Sequence, residues 1–355
     1  MNRAIVLQRA AKDASELADV LTIEERAPPP IEDGEVLVRA VYLSLDPSQF
    51  MWVRMAAPYM PIGAGDVMLC SQIGVIEQSR IAGVAAGDVV SVFAGMQERS
   101  VVRALGAEHD AGSGGMLAVN KISVEPDFPL DLHLSLLSHV GMAAISGMKH
   151  VAEVRAGETV LVSAAAGATG SIAAQLAKAY GARVIGVAGG PEKCALLVDE
   201  LGLDGAIDHR GNVAKELARL APSGIDLFFD NVGGFLLDTV LPQMAFRGRV
   251  VICGALADYG KAPDQVHRFA NIGQLLQRNV KLLPYWVSDY DEHIPVYMEE
   301  LRARYLDGSL KIRPSHIEQG LEAIPQALQL LMSGGNRGKL MVQVSDLPEG
   351  ATRTG

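Results

Sequence analysis

Cysteine is scarce in this chain: three in 355 residues, at positions 70, 194 and 253 and far apart. That scatter argues against a disulfide framework and fits a reducing compartment. Blocks of Lys and Arg are also missing and the net charge is −10, so nucleic acid is not an expected partner. The opening "MNRAIVLQRAAKDASELADV" has no long apolar core behind its basic residues, which argues against a signal peptide. One uncharged run, Thr159 to Ala177, is long enough to raise the question of a membrane span. Ser163, Thr169, Ser171 and Gln175 interrupt it and glycines change its pattern midway, so a strand, turn and helix is the better reading. Internal repeats and low-complexity tracts are absent, and Ser163 forms no nucleophile elbow of the hydrolase kind. A cytoplasmic globular protein with no membrane partner is the expectation.

The length exceeds what one hydrophobic core usually serves, so two domains are expected. The first third reads as β-rich: "GEVLVRAVYLSL" alternates, and "QIGVIEQS" and "GDVVSVFAG" are short strands punctuated by glycine. From Glu158 the pattern changes. "TVLVSA", "RVIGVAG", "GAIDH", "IDLFFDNVG" and "RVVICGAL" read as strands, and helical segments separate them. One of those, "PEKCALLVDELG", has Pro191 in its first turn. This βαβα order predicts a parallel, doubly wound sheet of the α/β class. The closing "GGNRGKLMVQV" is a turn feeding a strand that returns to the first domain's sheet.

Within this pattern "VSAAAGATGS" joins a buried strand to a helix. A helix start carries unpaired N–H groups and partial positive charge, and so attracts phosphate. Gly167 and Gly170 stand at the second and third positions of the dinucleotide fingerprint, and Ala165 stands at the first, tolerable there if its φ is negative. A turn made small for packing alone would look similar. Gly189, Gly190 and Lys193 follow the second strand where NAD enzymes carry an acidic residue. Lys193 then reads either as a partner for a 2′-phosphate, and so for NADP, or as a solvated lysine on a helix face.

"SAAAGATGS", "GVAGGPEKC", "FFDNVGG" and "VICGALADYG" occur in order and at characteristic spacing. Together with "DGEVLVRAVYLSLDP" and "GGNRGKL" they resemble the medium-chain dehydrogenase/reductase superfamily, in its zinc-free branch of NADPH-dependent alkenal, prostaglandin and curcumin-type reductases. The resemblance implies a GroES-like β-rich catalytic domain at 1–134 and 302–355, and a Rossmann domain at 135–301, with the active site in the cleft between them. It implies NADPH as cofactor and a homodimer. Gly167, Ala168, Thr169 and Gly170 match the pyrophosphate turn, and Gly190 and Lys193 the 2′-phosphate side. His209 and Arg210 stand where the family has a tyrosine and a lysine. Asn231, Cys253, Gly254, Ala255 and Asn336 match segments beside the cofactor. Tyr259 matches the tyrosine near the reacting carbonyl. Tyr59, Tyr285 and Trp286 are pocket candidates, as is Ile145, which replaces a tyrosine of the family.

No metal is expected, since three dispersed cysteines cannot build the superfamily's zinc sites. Reduction of a C=C bond conjugated to a carbonyl needs none: hydride goes to the β-carbon, and a donor such as Tyr259 stabilises the enolate oxygen. The expected activity is therefore reduction of α,β-unsaturated ketones or aldehydes. A quinone reductase and a catalytically silent NADPH-binding protein are the alternatives.

Overall fold

The computed structural model describes all residues except 28–29, 55–59, 61, 104–118, 260, 263, 337 and 355. The chain forms two compact units, Met1–Leu134 with Arg313–Gly355, and Ser135–Ile312. The sequence-based return point of 302 lies inside the helix Ile294–Leu306, which belongs wholly to the second unit.

Alternating β-branched residues shape the first unit. Its strands are β1 (Asn2–Leu7), β2 (Leu21–Arg26), β3 (Glu35–Ser44), β4 (Leu69–Ser79), β5 (Val89–Gly95), β6 (Arg99–Arg103) and β7 (Asn120–Ile122). β3 sends Val36 and Val38 into a cluster with Ile76, Val90 and Val102. Its Ala40 and Leu43 enter a second cluster with Phe50, Trp52 and Met68. Burial on both faces makes β3 the central strand, and it pairs antiparallel with β4 and β6.

The second unit holds β8 (Thr159–Val162), β9 (Arg183–Ala188), β10 (Gly205–Asp208), β11 (Ile225–Asp230), β12 (Met244–Ile252) and β13 (Lys281–Pro284). All neighbours are parallel, in the order β10-β9-β8-β11-β12-β13. The apolar stretches Val160–Val162 in β8, Val184–Ala188 in β9 and Leu227–Phe229 in β11 follow from this, because helices cover both faces of such a sheet. The chain winds from β8 to β10 on one side, then crosses to β11 on the other. That reversal opens a crevice beyond the strands' C-terminal ends, where α/β sheets bind ligands.

β14 (His316–Gln319) and β15 (Leu340–Gln343) then complete the first unit's sheet, with β15 antiparallel to β3. The strand closing "GGNRGKLMVQV" thus returns as expected. Two expected helices change pitch: π-helical turns occupy Gly147–Val151 and Leu196–Glu200, where one continuous α period had been expected. No helix among the described residues is long and apolar enough to cross a membrane.

Candidate functional site

The crevice between β8 and β11 begins at a strained turn. After Val162 the chain passes through Ser163 to Ala164, which takes the left-handed conformation with φ 48°, at a cost of about 1 kcal/mol for an alanine. Ala165 keeps a negative φ, so a side chain is tolerated at the first fingerprint position. Its N–H donates to Val187 O at 2.9 Å. Room for its methyl group comes from the neighbouring strand, since a Cβ added at Gly186 would lie 2.9 Å from Ala165 Cβ. Gly167 then caps the helix Ala168–Ala179 and, being glycine, offers no side chain to its first N–H groups. A Cβ at Gly170 would fall 2.3 Å from Ala164 O, so only glycine lets the helix start this close to the turn.

The far wall is knitted by Asp230, at the end of β11. One carboxylate oxygen accepts from Ser163 Oγ at 2.8 Å and from Val232 N at 2.9 Å, and Gly233 N donates to both oxygens. Ser163 Oγ in turn accepts from Asn231 N at 2.8 Å, and Asn231 Nδ2 donates to Ser163 O at 2.7 Å. Burial pushes the Asp230 carboxyl upward, and the hydrogen bonds from Val232, Gly233 and Ser163 work against that rise. Its backbone oxygen receives Cys253 N and Gly254 N at 2.9 and 3.1 Å. One residue therefore ties together the glycine turn, the "DNVGG" turn and the segment leaving β12.

On the other side, Gly189 and Gly190 follow the end of β9. Gly190 has φ 86° and leads directly into Pro191, the first residue of the next helix. Asp208, the last residue of β10, accepts from Gly190 N and Arg210 N, both at 3.0 Å. Those two bonds lower its carboxyl pKa. Cβ atoms added at Gly189 and Gly190 would lie 2.9 Å from His209 Nε2 and 3.1 Å from Arg210 Nη1. The fold thus brings His209 and Arg210 onto the two glycines. Lys193 lies one turn into the helix begun by Pro191.

The segment after β12 turns back on itself. Leu256 N and Ala257 N donate to Asn231 O and Val232 O. Tyr259 returns its hydroxyl to the start of the segment, where it accepts from Ala255 N at 3.3 Å. Tyr285 lies just past β13 and Ile145 is fully buried, while Trp286 is 61% exposed. Asn336 belongs to the first unit, where its Nδ2 donates to Gly338 O at 2.9 Å. Tyr59 lies outside the described residues.

Comparison with known proteins agrees with this architecture. Residues 168–303 match the family described as zinc-binding dehydrogenase, and residues 3–109 match the N-terminal domain of oxidoreductase. NADPH-dependent curcumin reductase of Escherichia coli K12 is 32% identical over 88% of this chain and 88% of that protein. The chain belongs to the medium-chain dehydrogenase/reductase superfamily. Prostaglandin reductase 1 of Mus musculus is 33% identical, over 89% of this chain and 91% of its own. A solved structure of CurA from Vibrio vulnificus in complex with NADPH is 30% identical, with a TM-score of 0.84 over 97% of this chain and all of that one.

Among the described residues of this superfamily member, no group of three or more His, Cys, Asp or Glu side chains is placed to hold a metal ion. Sequence reasoning missed Asp208 and Asp230 as anchors, although both are acidic residues closing an apolar strand just where a turn begins. That pattern is a usable signal for a carboxylate that receives backbone N–H groups. It also passed over Ser163, whose hydroxyl bridges β8 and β11.

Proposed function

We propose that this chain is an NADPH-dependent reductase of the C=C bond in α,β-unsaturated ketones or aldehydes. The observation that carries the reading is the glycine turn at the switch point, with the segment ending at Tyr259 bound beside it through Asp230. The cradle suits a dinucleotide. The N-cap Gly167 brings no capping side chain, and Gly167 and Gly170 keep the helix mouth clear of their own Cβ atoms. In this reading the N–H groups of Ala168, Thr169 and Gly170 hold the pyrophosphate. Gly190, Lys193 and Arg210 receive the 2′-phosphate, with charge-assisted bonds from the two cations and no acidic residue at the end of β9. His209 lines the adenosine side, and Asn231, Cys253, Gly254 and Ala255 border the nicotinamide. The Escherichia coli curcumin reductase, NADPH-dependent by name, and the Vibrio vulnificus CurA structure in complex with NADPH support the cofactor.

When bound, NADPH supplies the hydride for the β-carbon of a conjugated carbonyl compound. The chain's own part is to bear the charge that collects on the carbonyl oxygen. Tyr259 is the donor in this reading, since Ala255 N holds its phenol oxygen at 3.3 Å on the segment that Asp230 binds beside the glycine turn. One such donor is worth up to about a hundredfold in turnover. The test is product analysis and single-turnover NADPH oxidation with a conjugated ketone. Wild-type protein should yield the saturated ketone. Tyr259→Phe should bind NADPH normally and transfer hydride ten- to a hundredfold more slowly. An unchanged rate in Tyr259→Phe removes the phenol from the chemistry, and a hydroquinone formed from a quinone with no enone reduced replaces the substrate class.

A further inference from the structure

Tyr285 does something other than line a pocket. Its phenol donates to Ala143 O at 2.7 Å, in the helix His139–Ser146, and the sulfur of Cys253 lies 3.4 Å from the phenol oxygen. The ring rests on Gly147, where that helix passes into its π-helical turn. A Cβ there would lie 2.8 Å from Tyr285 Oη and 2.6 Å from Phe229 Cε2. A π turn at such a contact often marks a functional site. Three pieces of the second unit therefore meet at one oxygen: the helix, the residue after β13, and Cys253, the first residue of the segment that ends at Tyr259.

Backbone hydrogen bonds tie that segment to the turn after β11. Cys253 and Gly254 bond to Asp230, Leu256 to Asn231 and Ala257 to Val232. Tyr285 touches the segment through a side chain and connects it to a helix. We propose that Tyr285 is a positioning residue of the reductase, which acts through Cys253 to set the placement of Tyr259. The inference rests on the reading of Tyr259 as the donor to the carbonyl oxygen.

Tyr285→Phe removes the oxygen and keeps the ring on Gly147. Enone turnover should fall about fivefold, with NADPH affinity and the Michaelis constant for NADPH within twofold of wild type. In a Tyr259→Phe background the same change should have little further effect, because the group it positions is gone. Peptide-mapped alkylation of Cys253, without substrate or cofactor, gives a readout independent of turnover and should quicken at least threefold. Unaltered turnover, an equal fivefold loss in both backgrounds, or unaltered Cys253 labelling overturns the proposal. If wild-type protein reduces no enone, the functional reading fails instead, and the labelling still decides whether Tyr285 holds Cys253.

Discussion

At the scale of single residues, glycines and small side chains decide whether the turn after β8 can close. Gly167 and Gly170 look equivalent in a motif, yet they differ physically. Gly167 has φ −82° and an added Cβ would stand 3.1 Å from Ala164 O, whereas at Gly170 the distance is 2.3 Å. Gly170→Ala therefore forces backbone apart, and overpacking of this kind costs about 1–3 kcal/mol. Gly170→Ala should lower the melting temperature and weaken NADPH at least tenfold by fluorescence titration. Gly167→Ala should keep the wild-type melting temperature. Equal thermal stability of the two variants would contradict this account of the turn. The fingerprint itself was legible in the sequence. That Ala164, and not Ala165, takes the left-handed conformation was not, because a hydrogen bond from Ala165 N to Val187 O on the neighbouring strand holds Ala165.

Among elements, the strands and most helices follow from their periods. The π-helical turns do not, because one residue more per turn leaves the local apolar pattern almost unaltered. Their causes lie across the fold, as with the aromatic rings pressed on Gly147. The turn Gly147–Val151 carries His150, whose ring stacks on His293 at 4.4 Å between centroids and lies 5.8 and 5.6 Å from Tyr290 and Tyr297. Burial, His293 and Lys149 lower the His150 pKa, and Glu153 opposes them. The folded state therefore holds this imidazole neutral where the unfolded chain, with an ordinary value near 6.5, takes up a proton. Stability is fully present above about pH 6.5 and is lost as the pH falls below it. Melting temperatures at pH 7.5 and 5.5 check the sign: His150→Gln should show a smaller fall than wild type, and an equal fall would exclude His150 as the source.

On the scale of the whole molecule, the first unit is closed by residues from opposite ends of the chain. Lys339, just before β15, pairs with Asp46, just after β3, across 293 residues of sequence. Lys339 Nζ also donates to Leu45 O at 2.9 Å, and Ser44 Oγ donates to Asp46 at 2.6 Å. Both charged residues are buried. Removing one partner leaves the other charge uncompensated, which costs about 3–5 kcal/mol. Lys339→Met should lower the denaturant midpoint accordingly. A loss below about 1 kcal/mol would show that Asp46 is satisfied by Ser44 and solvent. The sequence placed Lys339 in a closing turn and strand but gave no partner for it.

Local order was readable from the residues alone: the β-rich start, the alternating strands and helices after Glu158, the glycine turn and its superfamily. Each rests on periodicity or on a residue's own backbone preference, which act over a few positions. Side-chain partnerships were decided only by the tertiary structure. Asp230 meets Ser163 because β11 lies beside β8, and Tyr285 meets Ala143 across 142 residues because β13 ends under a helix. A hydrogen bond depends on which elements become neighbours, and neighbourhood in a doubly wound sheet is set by strand order, which no local pattern contains.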